Sequence, residues 1–226
     1  MGRRGGSIGS ANARTSGAAG FTLAELAAVA GCVALLAAIL VPVLGRAIER
    51  SRVTRAVADL RAAEIALEAY AVDHKGGYPA VETSCQGADA DEVLQLPREL
   101  GEGGYLPKRE GEKTGSTMRD PFHRAGTYKY VAPEGYWLNG QRMADRYPVW
   151  VPEDFPACKS GAGRLHDEAN APLAWAVWSV GPGGDAMKTD SRAPLWRGGW
   201  YGADGRREGA IVRFKPRDGA ARCSWP

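Results

Sequence analysis

The sequence predicts an α+β protein in which one long N-terminal helix packs on a small antiparallel β-sheet. The first half of that helix is apolar enough to lie in a membrane. Three observations predict this. Residues 21–45 form an apolar run interrupted by a single charge, Glu25. The following residues keep an apolar period of three and four, with no breaker until Gly76-Gly77. Beyond those glycines the helical period gives way to short alternating segments bounded by glycine and proline.

The chain opens with a basic, acid-free leader, residues 1–20, carrying Arg3, Arg4 and Arg14. Those three account for the whole formal charge of +3, because residues 21–226 hold 26 basic and 26 acidic side chains. A neutral balance gives no support for nucleic-acid binding, so no nucleic-acid partner is expected. Roughly 150 residues follow the long helix, enough for one domain.

The apolar run is long enough to span a hydrocarbon core of about 30 Å. A secretory signal would carry a shorter apolar region of about 7–15 residues and a small-x-small cleavage site. A plain membrane anchor explains the length but not Glu25, a carboxylate that costs a few kcal/mol at the bilayer centre and calls for a partner. Arg46, Arg50, Arg52 and Arg55 follow the run, so both flanks are basic and charge does not set the topology. Pro42 lacks an N–H and is expected to kink or locally melt the helix.

Val53, Val57, Leu60, Glu64 and Leu67 continue the helical period, with Ala56, Ala63 and Ala71 beside them. Gly76-Gly77 should end the helix, with Lys75 in its last turn. From Phe21 this makes about 55 residues, or ~80 Å. Residues 82–92 and 108–117 read as loops, and residues 93–100 as a short helix broken by Gly101 to Gly104. Thr127 to Val131 alternates as a strand, and Tyr136-Trp137-Leu138 follows as a second. Residues 139–171 hold several prolines and no sustained period, and read as an insertion. Leu173 to Val180 is a strong strand, followed by the glycine-rich stretch 181–184. Ala210 to Phe214 reads as the last strand.

The leader, the Gly20-Phe21 junction, Glu25 and the long apolar helix together resemble the class III signal of type IV pilins and pseudopilins. Further segments resemble major pseudopilins: Tyr78-Pro79 after the helix, Asp120-Pro121-Phe122 with Tyr128 and Tyr130, and the tryptophan strand ending in Ser179-Val180-Gly181-Pro182. The resemblance covers about half the chain. It implies a pilin-like fold with a leader (1–20), a transmembrane half-helix (21–45), an amphipathic half-helix (46–77) and a globular periplasmic domain (78–226). It also implies that a prepilin peptidase cuts Gly20–Phe21 and methylates the new amine of Phe21. Glu25 would then attract the charged terminus of a neighbouring subunit, and Pro42 would kink the helix. The implied protein is a single-pass inner-membrane subunit of a type II secretion pseudopilus. It works by self-association into a filament, with other pseudopilins and an inner-membrane assembly platform as partners. A type IV pilin or minor pilin is the nearest alternative, and a filament-tip module binding a glycan or secreted substrate is a third.

The resemblance further implies a calcium site in the loop after the tryptophan strand, at Ser179, Asp185 and Asp190. Hard oxygens on a flexible loop suit that ion. Gly183 stands where relatives often carry an aspartate, and the alternative is a turn with solvated aspartates. Cys85, Cys158 and Cys223 lie outside the apolar helix, so at most one internal bridge forms. Cys158–Cys223 is the preferred pair, since it would pin the C-terminal tail, but the spacing leaves the other pairings open. All seven tryptophans fall between Trp137 and Trp225. Core packing is the favoured account of them, with Trp196 and Trp200 the pair expected at the surface. No catalytic constellation is legible: Ser191, His166 and Asp167 lack a nucleophile-elbow setting, and no glycine run has P-loop spacing. The chain is not expected to be an enzyme.

Overall fold

The computed structural model describes residues 21–84, 93–108, 118–123, 126–153, 155, 164–166, 171–184 and 195–224. Gly20, Cys85, Cys158, Asp185 and Asp190 lie outside these residues, as do most of the two expected loops. The chain divides into two compact units, Met1–Arg46 and Ala47–Pro226.

Helix α1, Leu23–Asp73, runs 51 residues and is continuous through Pro42. Every side chain described in its first unit is exposed. By length and composition α1 is able to cross a membrane. It stops short of the predicted glycines. Lys75 (φ 58°) and Gly76 (φ 91°) both turn left-handed, and the Gly76 N–H donates to the Ala71 carbonyl at 2.7 Å. Lys75 therefore sits in the capping turn, not in the last helical turn.

In the second unit, α1 buries Val53, Ala56, Leu60, Ala63, Ala66, Leu67 and Ala71. Steps of three and four put these on one face, and most of them join the strand residues in one hydrophobic core. One sheet is antiparallel, in the order β2 (Lys129–Val131), β7 (Leu173–Ser179), β8 (Ile211–Pro216), β9 (Arg222–Cys223). A second, three-stranded sheet holds β1 (Val81–Thr83), β3 (Gly135–Leu138) and β4 (Gln141–Arg146). Its β1–β3 pair is parallel, as is the isolated Trp200–Ala210 bridge, and both depart from the expected antiparallel pattern. Gln95 bridges Glu82 on one side and Lys129 on the other, linking the two sheets. Strands β5 (Val149–Val151) and β6 (Arg164–His166) form a separate antiparallel pair.

One expectation is corrected here. The helix expected over residues 93–100 is instead an extended segment followed by α2, Arg98–Glu102. Pro97 disfavours helical geometry at Leu96. The segment also bonds to β2, through Leu96 N–H to the Tyr128 carbonyl at 2.9 Å and Tyr130 N–H to the Leu94 carbonyl at 2.7 Å. Residues 139–171, read as an insertion, contain β4, β5 and β6. The β3–β4 hairpin turns at Asn139 (φ 51°) and Gly140 (φ 79°), the pair of left-handed residues that a two-residue hairpin turn needs.

Tryptophans fill both faces of β7. Trp175 and Trp178 are fully buried and, three residues apart on a strand, point to opposite faces. Behind the sheet, Phe155, Phe214 and Trp200 pack together, with centroids 4.7 Å apart for the two phenylalanines and 5.8 Å for Phe214 and Trp200. Trp200 is thus a core residue, 4% exposed, whereas its expected companion Trp196 is 51% exposed.

Candidate functional site

The start of α1 carries the first candidate site. Thr22 precedes the helix, and Glu25 sits in its first turn. The Thr22 N–H and hydroxyl both donate to Glu25 Oε2 at 2.9 Å, and the Glu25 N–H donates back to Thr22 Oγ1 at 3.2 Å. This reciprocal pair is a capping box, which satisfies helix-end donors that have no partner within the helix. The sequence reading missed it, although Thr-x-x-Glu before an apolar run is its signature. Glu25 Oε1 has no partner among the described residues. A carboxylate offers about four lone-pair sites, so this one caps its own helix and keeps an oxygen for a second partner. Phe21, beside it, is 85% exposed.

The second candidate lies where β7 runs into its glycine-rich loop. Asp120 is 2% exposed. Its Oδ1 accepts from Ser179 Oγ at 2.7 Å and from the Phe122 N–H at 2.9 Å, while Oδ2 accepts from the Val180 N–H at 2.7 Å. Ser179 Oγ in turn accepts from the Gly181 N–H at 3.1 Å. Burial pushes the Asp120 carboxyl above the usual range, and the three hydrogen bonds offset part of that rise. Gly181 has φ +73°, and a Cβ there would meet the Gly209 carbonyl at 1.8 Å, so no other residue fits.

Ser179 was expected to ligate calcium through its side chain. Its hydroxyl donates to Asp120 and accepts from the Gly181 N–H, which leaves it one lone pair. No group of three His, Cys, Asp or Glu side chains placed to hold a metal occurs among the described residues. The two aspartates of the expected set, Asp185 and Asp190, fall outside them. Cys223 is a half-buried free thiol on β9, and its preferred partner Cys158 is likewise outside. Sequence reading had flagged the Asp120-Pro121 turn and the Ser179 loop separately; the structure joins them.

A long helix whose second half packs on an antiparallel-rich sheet is an α+β arrangement like that of a pilin. Over 114 residues the chain is 30% identical to type II secretion system core protein G of Vibrio cholerae, an alignment covering 50% of this chain and 70% of that protein. The chain belongs to the type II secretion system core protein G family. No protein-family model matches the chain, and no solved structure does either.

Proposed function

We propose that this chain is a structural subunit of a type II secretion pseudopilus, made as a precursor and assembled by helix–helix packing. The observation that carries the reading is the kinship to core protein G together with the Thr22–Glu25 pair at the start of an apolar helix. In this reading a prepilin peptidase cleaves Gly20–Phe21 and methylates the freed amine. The subunit waits in the inner membrane with its C-terminal domain in the periplasm. Glu25 then draws the charged amine of a neighbouring subunit to its free oxygen, in surroundings where low dielectric strengthens the attraction. Loss of either partner would strand a charge in the membrane, so pairing and axial register are coupled. Pro42 supplies a point of bending. Other pseudopilins and an assembly platform act on the chain from outside, and no catalytic step is assigned to it.

The test is the mass of the N-terminal peptide from membrane-extracted protein, made with and without a prepilin peptidase. A peptide beginning at methylated Phe21 when the peptidase is present, and an intact leader when it is absent, is expected. An intact leader in both preparations would reduce the chain to a membrane anchor.

A further inference from the structure

We infer that Arg50, Arg52 and Arg55 form a docking site for the phosphate headgroups of anionic phospholipids, next to the apolar run of α1. The inference rests on α1 spanning the bilayer. All three arginines are exposed. Arg50 and Arg52 have no carboxylate partner among the described residues, and Arg55 has one, Asp59 at 3.5 Å, with its own side chain 61% exposed. Between Gly45 and Arg55 the single acid is Glu49. Unlike Arg213 and Lys215 of β8, which pair with Glu64 and Glu68 of the helix, Arg50 and Arg52 have no such partner among the described residues, and Arg55 shares its charge with Asp59 alone.

Their position along α1 says what would. Arg50 follows Gly45 by five residues, about 7.5 Å of helix, and Arg55 by ten, about 15 Å. The headgroup layer outside the hydrocarbon is about 5–8 Å deep on each side. Long arginine side chains reach back along the helix toward it. The first residue of α1 buried by the globular unit is Val53. Arg50 and Arg52 therefore occupy the stretch that neither lipid tails nor sheet would cover. A guanidinium fork matches a phosphate with two parallel hydrogen bonds, which a zwitterionic headgroup satisfies less well because its own ammonium competes. Anionic lipid at this depth holds a subunit against the bilayer, and release of the headgroups becomes part of leaving it.

The experiment reconstitutes the full chain in phosphatidylcholine bilayers containing trace spin-labelled phosphatidylglycerol or spin-labelled phosphatidylcholine, and measures the motionally restricted fraction by electron spin resonance. Wild type should prefer phosphatidylglycerol by at least about fivefold, the value for a single basic residue near a charged surface. The preference should vanish in R50Q/R52Q/R55Q and in about 1 M salt, where the screening length falls to ~3 Å. A melt of the full chain in detergent guards against a folding defect and should be unchanged, since the three side chains are exposed. Equal restriction of both lipids by wild type, or a preference that survives the triple substitution, overturns the proposal. Loss of the preference in inorganic phosphate, at an ionic strength where chloride leaves it intact, would make this a free-anion site and overturn the headgroup assignment. No restricted component with either lipid would instead overturn the membrane span on which the inference rests.

Discussion

Thr22 and Glu25 hold each other. The threonine N–H and hydroxyl both donate to one carboxylate oxygen at 2.9 Å, while the glutamate N–H donates back to the hydroxyl at 3.2 Å. The same carboxylate is proposed to pair with a neighbouring subunit, so cap and assembly are separable by substitution. Thr22→Ala removes the cap and leaves the charge. Amide exchange at the first helical turn should accelerate by about fivefold, the usual effect of losing a threonine cap, while filament assembly persists. Glu25→Gln keeps an acceptor at the same place but no charge. Exchange should stay near wild type and assembly, scored by cross-linking between subunits, should be lost. Equal assembly by wild type and Glu25→Gln would remove the charge from the mechanism.

A polar ladder fastens α1 to β8. Glu64 pairs with Arg213, and Glu68 Oε2 accepts from Lys215 Nζ at 2.6 Å. Four residues of helix rise about 6 Å and two residues of strand about 6.8 Å, so rungs spaced i,i+4 on the helix meet rungs spaced i,i+2 on the strand. Glu68 Oε1 also accepts from Trp175 Nε1 at 3.0 Å and from the Tyr78 hydroxyl at 3.2 Å. Arg213→Met leaves Glu64 half-buried without its cation and should cost about 1.5–3 kcal/mol by urea unfolding of the soluble unit. The double variant with Glu64→Leu should recover part of that loss, because both charges then go together. Purely additive effects would mean that the pair is screened by solvent and holds little.

Sequence reading located the long helix, β2, β3, β7 and β8 because each carries a clear period or a β-rich run closed by glycine or proline. It failed where tertiary pairing overrides local pattern. β4 reads Gln141-Arg142-Met143-Ala144-Asp145-Arg146, almost wholly exposed, so no apolar alternation marks it. The Asn139-Gly140 turn was the signal that would have found it. β1 and β9 are three and two residues long, too short to show any period. At the sites, Glu25 was legible as a charge out of place. Its bond to Thr22 was legible too but overlooked. Asp120 meeting Ser179 spans 59 positions and becomes visible when β2 and β7 pair.

Two carboxyls should give the pH profile opposite slopes. Burial pushes Glu68 up, but hydrogen bonds from Lys215, Trp175 and Tyr78 outweigh it and leave it below its ordinary value of 4.5. Its stabilising contribution is present above pH 4.5 and is lost as pH falls through the lower folded value. Asp120 is raised above 3.8, so its contribution is full below pH 3.8 and is lost as pH rises through the higher folded value. Unfolding free energy measured across the acid range should therefore show Glu68→Gln losing most against wild type near neutral pH. Asp120→Asn should lose most at the acid end. A Glu68→Gln deficit that grows on acidification would reverse the sign assigned to Glu68.

Calcium binding is proposed for the loop that leaves β7, through Ser179, Asp185 and Asp190. The Ser179 hydroxyl and the Val180 N–H both anchor on Asp120 at 2.7 Å, which fixes the base of the loop. A fixed base lowers the ordering entropy that a ligand must overcome, so calcium affinity should depend on the Ser179–Asp120 anchor as well as on the aspartates. Calcium at about a hundred times its dissociation constant should stabilise the soluble unit by about 2.7 kcal/mol, read as a higher melting temperature than in chelator. Magnesium should do less, since it holds its waters and demands a tighter octahedron. Asp185→Ala with Asp190→Ala should abolish the calcium response while leaving the melt in chelator unchanged. Ser179→Ala should lower the melt in chelator and weaken calcium binding without abolishing it. A calcium response that survives the double aspartate substitution would place the ion elsewhere, and no response in wild type would leave the loop a solvated turn.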